Sequence, residues 1–396
     1  MSNIENLSDD YQRSGSDLTE LETALEEIDA MTSLQKVSTL DIELLSLDRT
    51  RNTPKGNTAF RVFHPYEGEK PSVGLSLDGS DTSKIKSLVK ETRKNQLLLR
   101  INGKLHFTSS DMIYSMAARA GVGGSNITRP SGRRDAYIAE LFGVDDKDVK
   151  MIVRKSGNIS KVFAMHSDRF GRIPQKTLLD IINQIKHGLG TPVCNYWEVN
   201  HNLSMIQLDF PEKAKDFAKV YNISDHIVPG VRLLTSDVGE ASVCAIGTWH
   251  IGNGYACSDV YSRKHTVNID LEVILKQINK QIFARYERIP QRLGELLLID
   301  VSDPEACIAS VLNQIKDKDK RNLGKRRMDE ITKLLCQQCN PALKYTAYDI
   351  AKTILALPDT LKGLPASAKR VLENVATESL FADYTEYANT LVNSAA

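Results

Sequence analysis

The sequence predicts an α+β fold, with a mixed, largely antiparallel sheet core and a helical C-terminal region. Three observations support this prediction. Short apolar runs separated by turn residues fill most of the chain up to residue 270. The helical patterns among them are too few for the regular strand–helix alternation of a parallel sheet. After residue 270 the apolar spacing becomes helical almost to the end.

Composition excludes several classes of protein. The chain has 396 residues, of which 41% are hydrophobic and 26% charged, which is typical of a globular protein. No apolar run reaches the ~18 residues of a membrane-spanning helix. The first residues are acidic and polar, unlike a secretory signal, so we expect a cytoplasmic protein that does not enter a membrane. Six irregularly spaced cysteines do not form a disulfide framework.

Residues 1–35 are expected to form an acidic, partly disordered arm with one amphipathic helix. The apolar residues of this helix recur every three or four positions, at Leu18, Leu21, Leu25, Ile28 and Met31. Ser16 or Asp17 is the expected N-cap. The arm is expected to be separable from the fold and to shield basic surface elsewhere.

Residues 36–270 are expected to form the α+β core. The elements predicted in its first half are two strands over residues 37–64, a helix from Ser83 to Thr92, a hairpin over Leu97–Phe107 with Asn102 and Gly103 at its tip, and a helix, glycine-rich loop and helix over residues 109–142. Those of the second half are strands Val149–Val153 and Lys161–Ser167, a helix from Leu178 to Leu189, a hairpin over Cys194–Phe210, and strands near Val231 and over Ala241–Ile251.

Residues 271–396 are expected to form a separate helical region. The predicted helices are Leu271–Tyr286, Pro304–Lys316, Lys325–Cys339, Ala347–Leu355 and Ala366–Leu391.

Charge is divided unevenly along the chain. Residues 1–50 carry a net charge of −9 and residues 51–174 a net charge of +10, whereas the remainder is neutral. A basic half of the core beside an acidic arm indicates a surface for a polyanion. The candidate nucleic-acid-binding residues are Lys84, Lys86, Lys90, Arg93 and Lys94 on the first helix of the core, and Arg129, Arg133 and Arg134 in the glycine-rich loop.

The glycine-rich loop does not have the Gly-Lys-Ser/Thr ending of a nucleotide-binding P-loop. A flexible basic loop that contacts a phosphate backbone is the better interpretation. Aromatic residues are interleaved with the basic ones, as in single-strand binding by base stacking. They are Phe60, Phe63, Tyr66, Phe107, Tyr114, Tyr137, Phe163 and Phe170.

Neither a metal site nor a catalytic signature is evident. Cys336 and Cys339 form a Cys-x-x-Cys pair inside a predicted helix, and no second pair completes a zinc site. Cys244, His250, Cys257 and His265 lie within 22 residues, but their spacing matches no zinc motif. Asp209 and Asp237 are isolated carboxylates. We therefore expect no metal, no cofactor and no enzymatic activity; a two-metal nuclease site assembled from distant carboxylates is the alternative that the sequence leaves open.

The central third of the chain resembles the phage/plasmid-like protein family, a domain of unknown function found in phages and plasmids. The resemblance depends on Met165–Phe170 with the helix Leu178–Ile185, on Val228–Glu240, and on Ile251–Cys257. It implies a protein of a mobile element, active in DNA metabolism or part of the phage particle. It does not assign any catalytic residues to this chain.

Three functions are compatible with these features. The first is a nucleic-acid-binding protein of a bacteriophage or plasmid, active in the bacterial cytoplasm, with single strands favoured as the partner. The second is a virion structural or assembly protein, in which the acidic helix makes subunit contacts. The third is an inhibitor of a host defence enzyme, with the acidic arm mimicking DNA. Each allows a homo-oligomer.

Overall fold

The computed structural model describes residues 4–52, 58–63, 73–76, 86–122, 131–144, 146–224, 226–239, 241–265, 272, 276, 286–318, 325–340, 343–361 and 366–387. The fold is α+β with mostly antiparallel sheets, as the sequence predicts. The strands are β1 (Gln12–Gly15), β2 (Thr32–Ser38), β3 (Ile42–Asn52), β4 (Thr58–Phe63), β5 (Val73–Ser76), β6 (Leu97–Ile101), β7 (Lys104–Thr108), β8 (Asp148–Ser156), β9 (Ile159–Ser167), β10 (Val193–Asn200), β11 (Ser204–Asp209), β12 (Val228–Thr235), β13 (Val243–Ile251), β14 (Gly254–Arg263), β15 (Asp300–Val301) and β16 (Tyr345–Thr346).

The helices of the described residues are α1 (Leu18–Met31), α2 (Lys86–Asn95), α3 (Ser110–Arg119), α4 (Gly132–Val144), α5 (Thr177–Leu189), α6 (Pro211–Tyr221), α7 (Arg288–Leu296), α8 (Pro304–Lys318), α9 (Lys325–Cys336), α10 (Ala347–Leu355), α11 (Leu357–Thr360) and α12 (Ala366–Ser379). Three short 3-10 segments accompany them, at Ile4–Leu7, Thr39–Asp41 and Thr385–Tyr387. None of these helices is long and apolar enough to cross a membrane.

Six strands form an antiparallel sheet in the order β1-β10-β11-β12-β13-β14. Eight strands form a second sheet in the order β2-β8-β9-β7-β6-β3-β4-β5, in which only β7 and β9 are parallel. The hairpin predicted at Asn102 and Gly103 is confirmed, with φ of 48° and 76° at these two residues. Positive φ at both central residues is what a two-residue hairpin turn requires.

The N-terminal segment differs from the predicted arm. Asp17 caps α1, and Leu21, Ala24, Leu25 and Ile28 are completely buried in the core of the six-stranded sheet. Strand β1 pairs with β10 in that sheet, whereas β2 pairs with β8 in the other. The apolar stripe of α1 is therefore a core face, and residues 12–38 connect the two sheets.

The C-terminal helices do not form a separate core. Helices α7 to α10 and α12 share one hydrophobic cluster with α1, α5 and the six-stranded sheet. The helix predicted over Ala366–Leu391 ends at Ser379, because the chain then turns back to bury Tyr384, whose hydroxyl donates to Ser379 O at 2.9 Å. The helix predicted over Leu271–Tyr286 lies largely outside the described residues.

The eight-stranded sheet is covered on both faces. Helices α3 and α4 bury Met112, Met116, Ile138 and Phe142 on one face. Helix α2 and the first 3-10 segment bury Leu88, Val89 and Leu7 on the other. Helix α2 ends three residues later than the sequence predicts, and its apolar side lies on the sheet. Its opposite side is thereby directed to solvent.

Polar and charged side chains fill the seam where the two sheets meet. Arg154 of β8 is fully buried and donates to the carbonyl of His201 at 3.2 Å and to the Thr32 hydroxyl at 3.1 Å. Arg172 bonds both Asp29 of α1 and the buried Asp237 that follows β12. These hydrogen bonds and ion pairs link the two sheets.

Candidate nucleic-acid interface

The exposed side of α2 carries four basic side chains. Lys86, Lys90, Arg93 and Lys94 are exposed, at positions i, i+4, i+7 and i+8 of one helical face. Leu88, Val89 and Thr92 occupy the buried side. Four of the predicted candidates thus share one exposed surface, whereas Lys84 lies outside the described residues.

The single acidic residue of α2 is turned away from this face. Glu91 accepts hydrogen bonds from the Ser8 hydroxyl and the Asp9 amide, both at 2.8 Å, and forms an ion pair with Lys161. Lys161 is completely buried and also pairs with Asp9 at 2.6 Å. The carboxylate of Glu91 is therefore bound on the inner side of α2.

Arg134 is part of the fold rather than of an exposed loop. It lies in the first turn of α4, is 3% exposed, and donates to Asp135 Oδ1 at 2.7 Å and to Asn95 O at 3.1 Å. Asp135 in turn accepts from the Ser46 hydroxyl at 2.6 Å. The prediction that Arg134 contacts phosphate from a flexible loop is therefore corrected. Its guanidinium instead binds the C-terminal end of α2, where carbonyl groups carry partial negative charge.

The hydrogen bond from Arg134 to Asn95 brings the two predicted basic clusters together. Lys94 immediately precedes the acceptor, Asn95. The exposed Arg133 immediately precedes the donor, Arg134. Helices α2 and α4 lie on opposite faces of the eight-stranded sheet, and this hydrogen bond links them. We call Lys86, Lys90, Arg93, Lys94 and Arg133 the basic surface. Arg129 lies outside the described residues.

The predicted stacking aromatics separate into two groups. Phe107, Phe163 and Phe170 are buried in the core. Tyr114 and Tyr137 are 58% and 47% exposed. Tyr137 lies one helical turn after Arg133, on the same face of α4. The side chains of Phe60, Phe63 and Tyr66 lie outside the described residues.

The candidate metal ligands do not converge. His250 pairs with Asp209, whereas the ring of His265 stacks on Phe170 with centroids 5.4 Å apart. Cys336 and Cys339 are free thiols at the end of α9. Among the residues that the structure describes, no three His, Cys, Asp or Glu side chains are placed to hold a metal ion.

A polar cluster that the sequence does not reveal lies on the six-stranded sheet. Asp209 accepts a hydrogen bond from His250 Nδ1 at 2.9 Å and another from Asn195, which donates to the Tyr255 hydroxyl at 2.9 Å. Strand register places Asp209 beside Gly230 and His250 beside Val228 on β12. Strand pairing brings these two residues, 41 positions apart in the chain, into contact, so spacing along the chain could not indicate it.

The neighbouring thiol does not supply a nucleophile for this Asp–His pair. Burial raises the pKa of Cys257 to about 11, although Arg232 lowers it in part. An activated cysteine requires the opposite shift. The cluster therefore joins strands β10, β11, β13 and β14 and does not support Cys–His chemistry.

Comparison of the chain with family models, with curated proteins and with solved structures gives no match.

Proposed function

We propose that this protein binds nucleic acid through the basic surface, with single strands as the favoured partner. The observation that carries the proposal is the exposed face of α2, where four cations align and the only acid is bound internally by Lys161. Cations on one face neutralise backbone phosphates irrespective of sequence. Arg133 extends the same surface onto α4, where the exposed ring of Tyr137 is available to stack on an unpaired base.

The alternative of an assembly protein has less support. It depended on an acidic N-terminal helix that is available for subunit contacts. Helix α1 instead buries its apolar stripe within its own chain. The phage or plasmid origin, the cytoplasmic location and a homo-oligomeric state stay predictions that accompany the proposal.

The test measures the affinity of the protein for labelled oligonucleotides by fluorescence anisotropy at several salt concentrations. The oligonucleotides are single strands and duplexes of roughly 20 nucleotides. This length is greater than the ~4–16 nucleotides that one single-strand site covers. The variant is Lys90→Gln with Lys94→Gln. Its matched control is Lys215→Gln with Lys219→Gln, two exposed lysines one turn apart on α6.

We expect the α2 variant to bind all sequences more weakly and to reduce the slope of log K against log salt by about 0.7 per lost contact for single strands. The control variant should bind like the wild type. Absence of binding at low salt, or equal loss in both variants, would contradict the proposal.

A further inference from the structure

A cavity of about 490 Å³ lies where α3 and α4 end against β8 and β9. This volume is in the range of small-molecule sites, roughly 300–1,000 Å³. Its walls include Leu141, Phe142 and Val144 of α4 together with Ala118 of α3. The Val144 side chain is 80% exposed at this end of α4. An exposed apolar side chain beside a cavity favours a ligand with an apolar body.

The charged side chains of the cavity leave a positive group for the ligand. Arg119, Lys147 and Asp148 line it. Asp148 forms an ion pair with Lys36, at 2.6 Å, which balances its charge. Arg119 lies on the last turn of α3 and forms no ion pair within the described part of the chain. The cavity therefore offers a guanidinium to an anionic group.

The C-terminal ends of α3 and α4 both line the cavity. The last carbonyls of α3 are occupied, because Ala120 N donates to Met116 O at 3.0 Å and Val122 N donates to Ala117 O at 3.0 Å. The last turn of α4, Leu141 to Val144, presents the carbonyl end of that helix. Three of these four residues line the cavity. They favour a ligand whose flat body carries N–H donors.

We propose that this cavity binds one nucleoside monophosphate unit, with the base against Leu141, Phe142 and Val144 and the phosphate on Arg119. A nucleobase combines an apolar ring face with N–H donors, and the phosphate supplies the anion that Arg119 recognises. The choice of a nucleotide among amphipathic anions rests on the proposed function. The bound nucleoside monophosphate is either a free nucleotide or an unstacked nucleotide of a bound strand.

The experiment measures binding of adenosine monophosphate by calorimetry, with adenosine and inorganic phosphate as partial ligands. Arg119→Gln removes the cation, and Ala118→Trp fills the cavity from an exposed helical position. Lys215→Gln is the control for loss of an exposed charge. Circular dichroism and thermal unfolding verify that each variant folds.

We expect adenosine monophosphate to bind more tightly than either partial ligand. Arg119→Gln should weaken it about tenfold or more, as for loss of a charge-assisted hydrogen bond. Ala118→Trp should abolish binding and Lys215→Gln should leave it unchanged. No saturable binding up to roughly 1 mM overturns the inference. Wild-type affinity in both cavity variants overturns it as well.

Competition distinguishes the two sources and separates this inference from the proposed function. If a single strand displaces adenosine monophosphate and Arg119→Gln weakens binding of the strand, the cavity binds a nucleotide of that strand. If the strand binds without displacing it, the ligand is a free nucleotide. If no strand binds but the mononucleotide does, the proposed function fails and the cavity site stands.

Discussion

Arg133 and Arg134 are adjacent in the sequence and have different environments in the fold. Arg133 is exposed, whereas Arg134 is buried between Asp135 and the end of α2. Arg154 and Lys161 are likewise buried, although both contribute to the positive net charge of the basic half of the core. The net charge of residues 51–174 therefore overstates the charge available to a polyanion. A charge count cannot identify a cation whose partner is brought to it by folding.

We expect Arg134→Ala to destabilise the protein by about 3–5 kcal/mol, as for other buried pairs that lose one partner. Burial raises the pKa of Asp135, while Arg134 and the Ser46 hydroxyl oppose this shift. Without Arg134 the carboxyl would be buried without its cation. Chemical denaturation measures the change.

Arg133→Ala is the matched control, because its side chain is exposed one position earlier, and it should change stability by less than about 0.5 kcal/mol. Equal stability of the two variants would show that the ion pair contributes little. Exposed charges contribute little to stability, so the large effect that we expect of Arg134→Ala follows from the burial of its side chain.

At the scale of elements, local signals predict the helices and hairpins, but not their partners. The spacing from Leu18 to Met31 and the N-cap at Asp17 identify α1 from the sequence. Its partner strands β10 and β11 lie about 170 residues further along the chain, so nothing near α1 indicates that its stripe is a core face. The same holds for the cavity, whose lining residues come from the ends of separate elements between Thr39 and Ser167.

We expect Leu25→Ala to destabilise the protein by about 2–5 kcal/mol, because it removes a completely buried side chain from α1. Glu22→Ala, at an exposed position three residues earlier, controls for changes in helix propensity. Thermal and denaturant unfolding of both variants provide the comparison. A separable arm would instead leave both variants as stable as the wild type.

At the scale of the whole molecule, burial lowers the pKa of four of the described histidines. His201 lies 2% exposed in the seam, with its ring stacked on Tyr11 at 4.9 Å. Burial, with Arg154 and Lys161 nearby, lowers its pKa well below the usual value. Burial likewise lowers the pKa of His166 and His265. For His106 the value falls to about 4, with Lys155 and Lys104 adding to the effect of burial.

We expect stability to fall on acidification. The folded pKa values lie below the unfolded value of 6.5, so the unfolded chain binds protons first as the pH falls. Above pH ~6.5 these histidines make their full contribution to stability. Below that pH, each fully buried histidine lowers the free energy of unfolding by about 1.4 kcal/mol per pH unit. Thermal unfolding from pH 8 to pH 5 at constant ionic strength measures the slope, and His106→Asn should make it shallower. A melting temperature independent of pH would contradict this account.

Residues 12–38 begin in one sheet and continue into the other, and this has a consequence for synthesis on the ribosome. Gln12 of β1 pairs with Asn200 of β10, so the N-terminal strand emerges long before its partner exists. At ~5–20 residues per second this delay lasts roughly 10–40 s. Through that interval the apolar stripe of α1 has no sheet to cover it. We expect the net charge of −9 on residues 1–50 to keep the nascent segment hydrated during this interval.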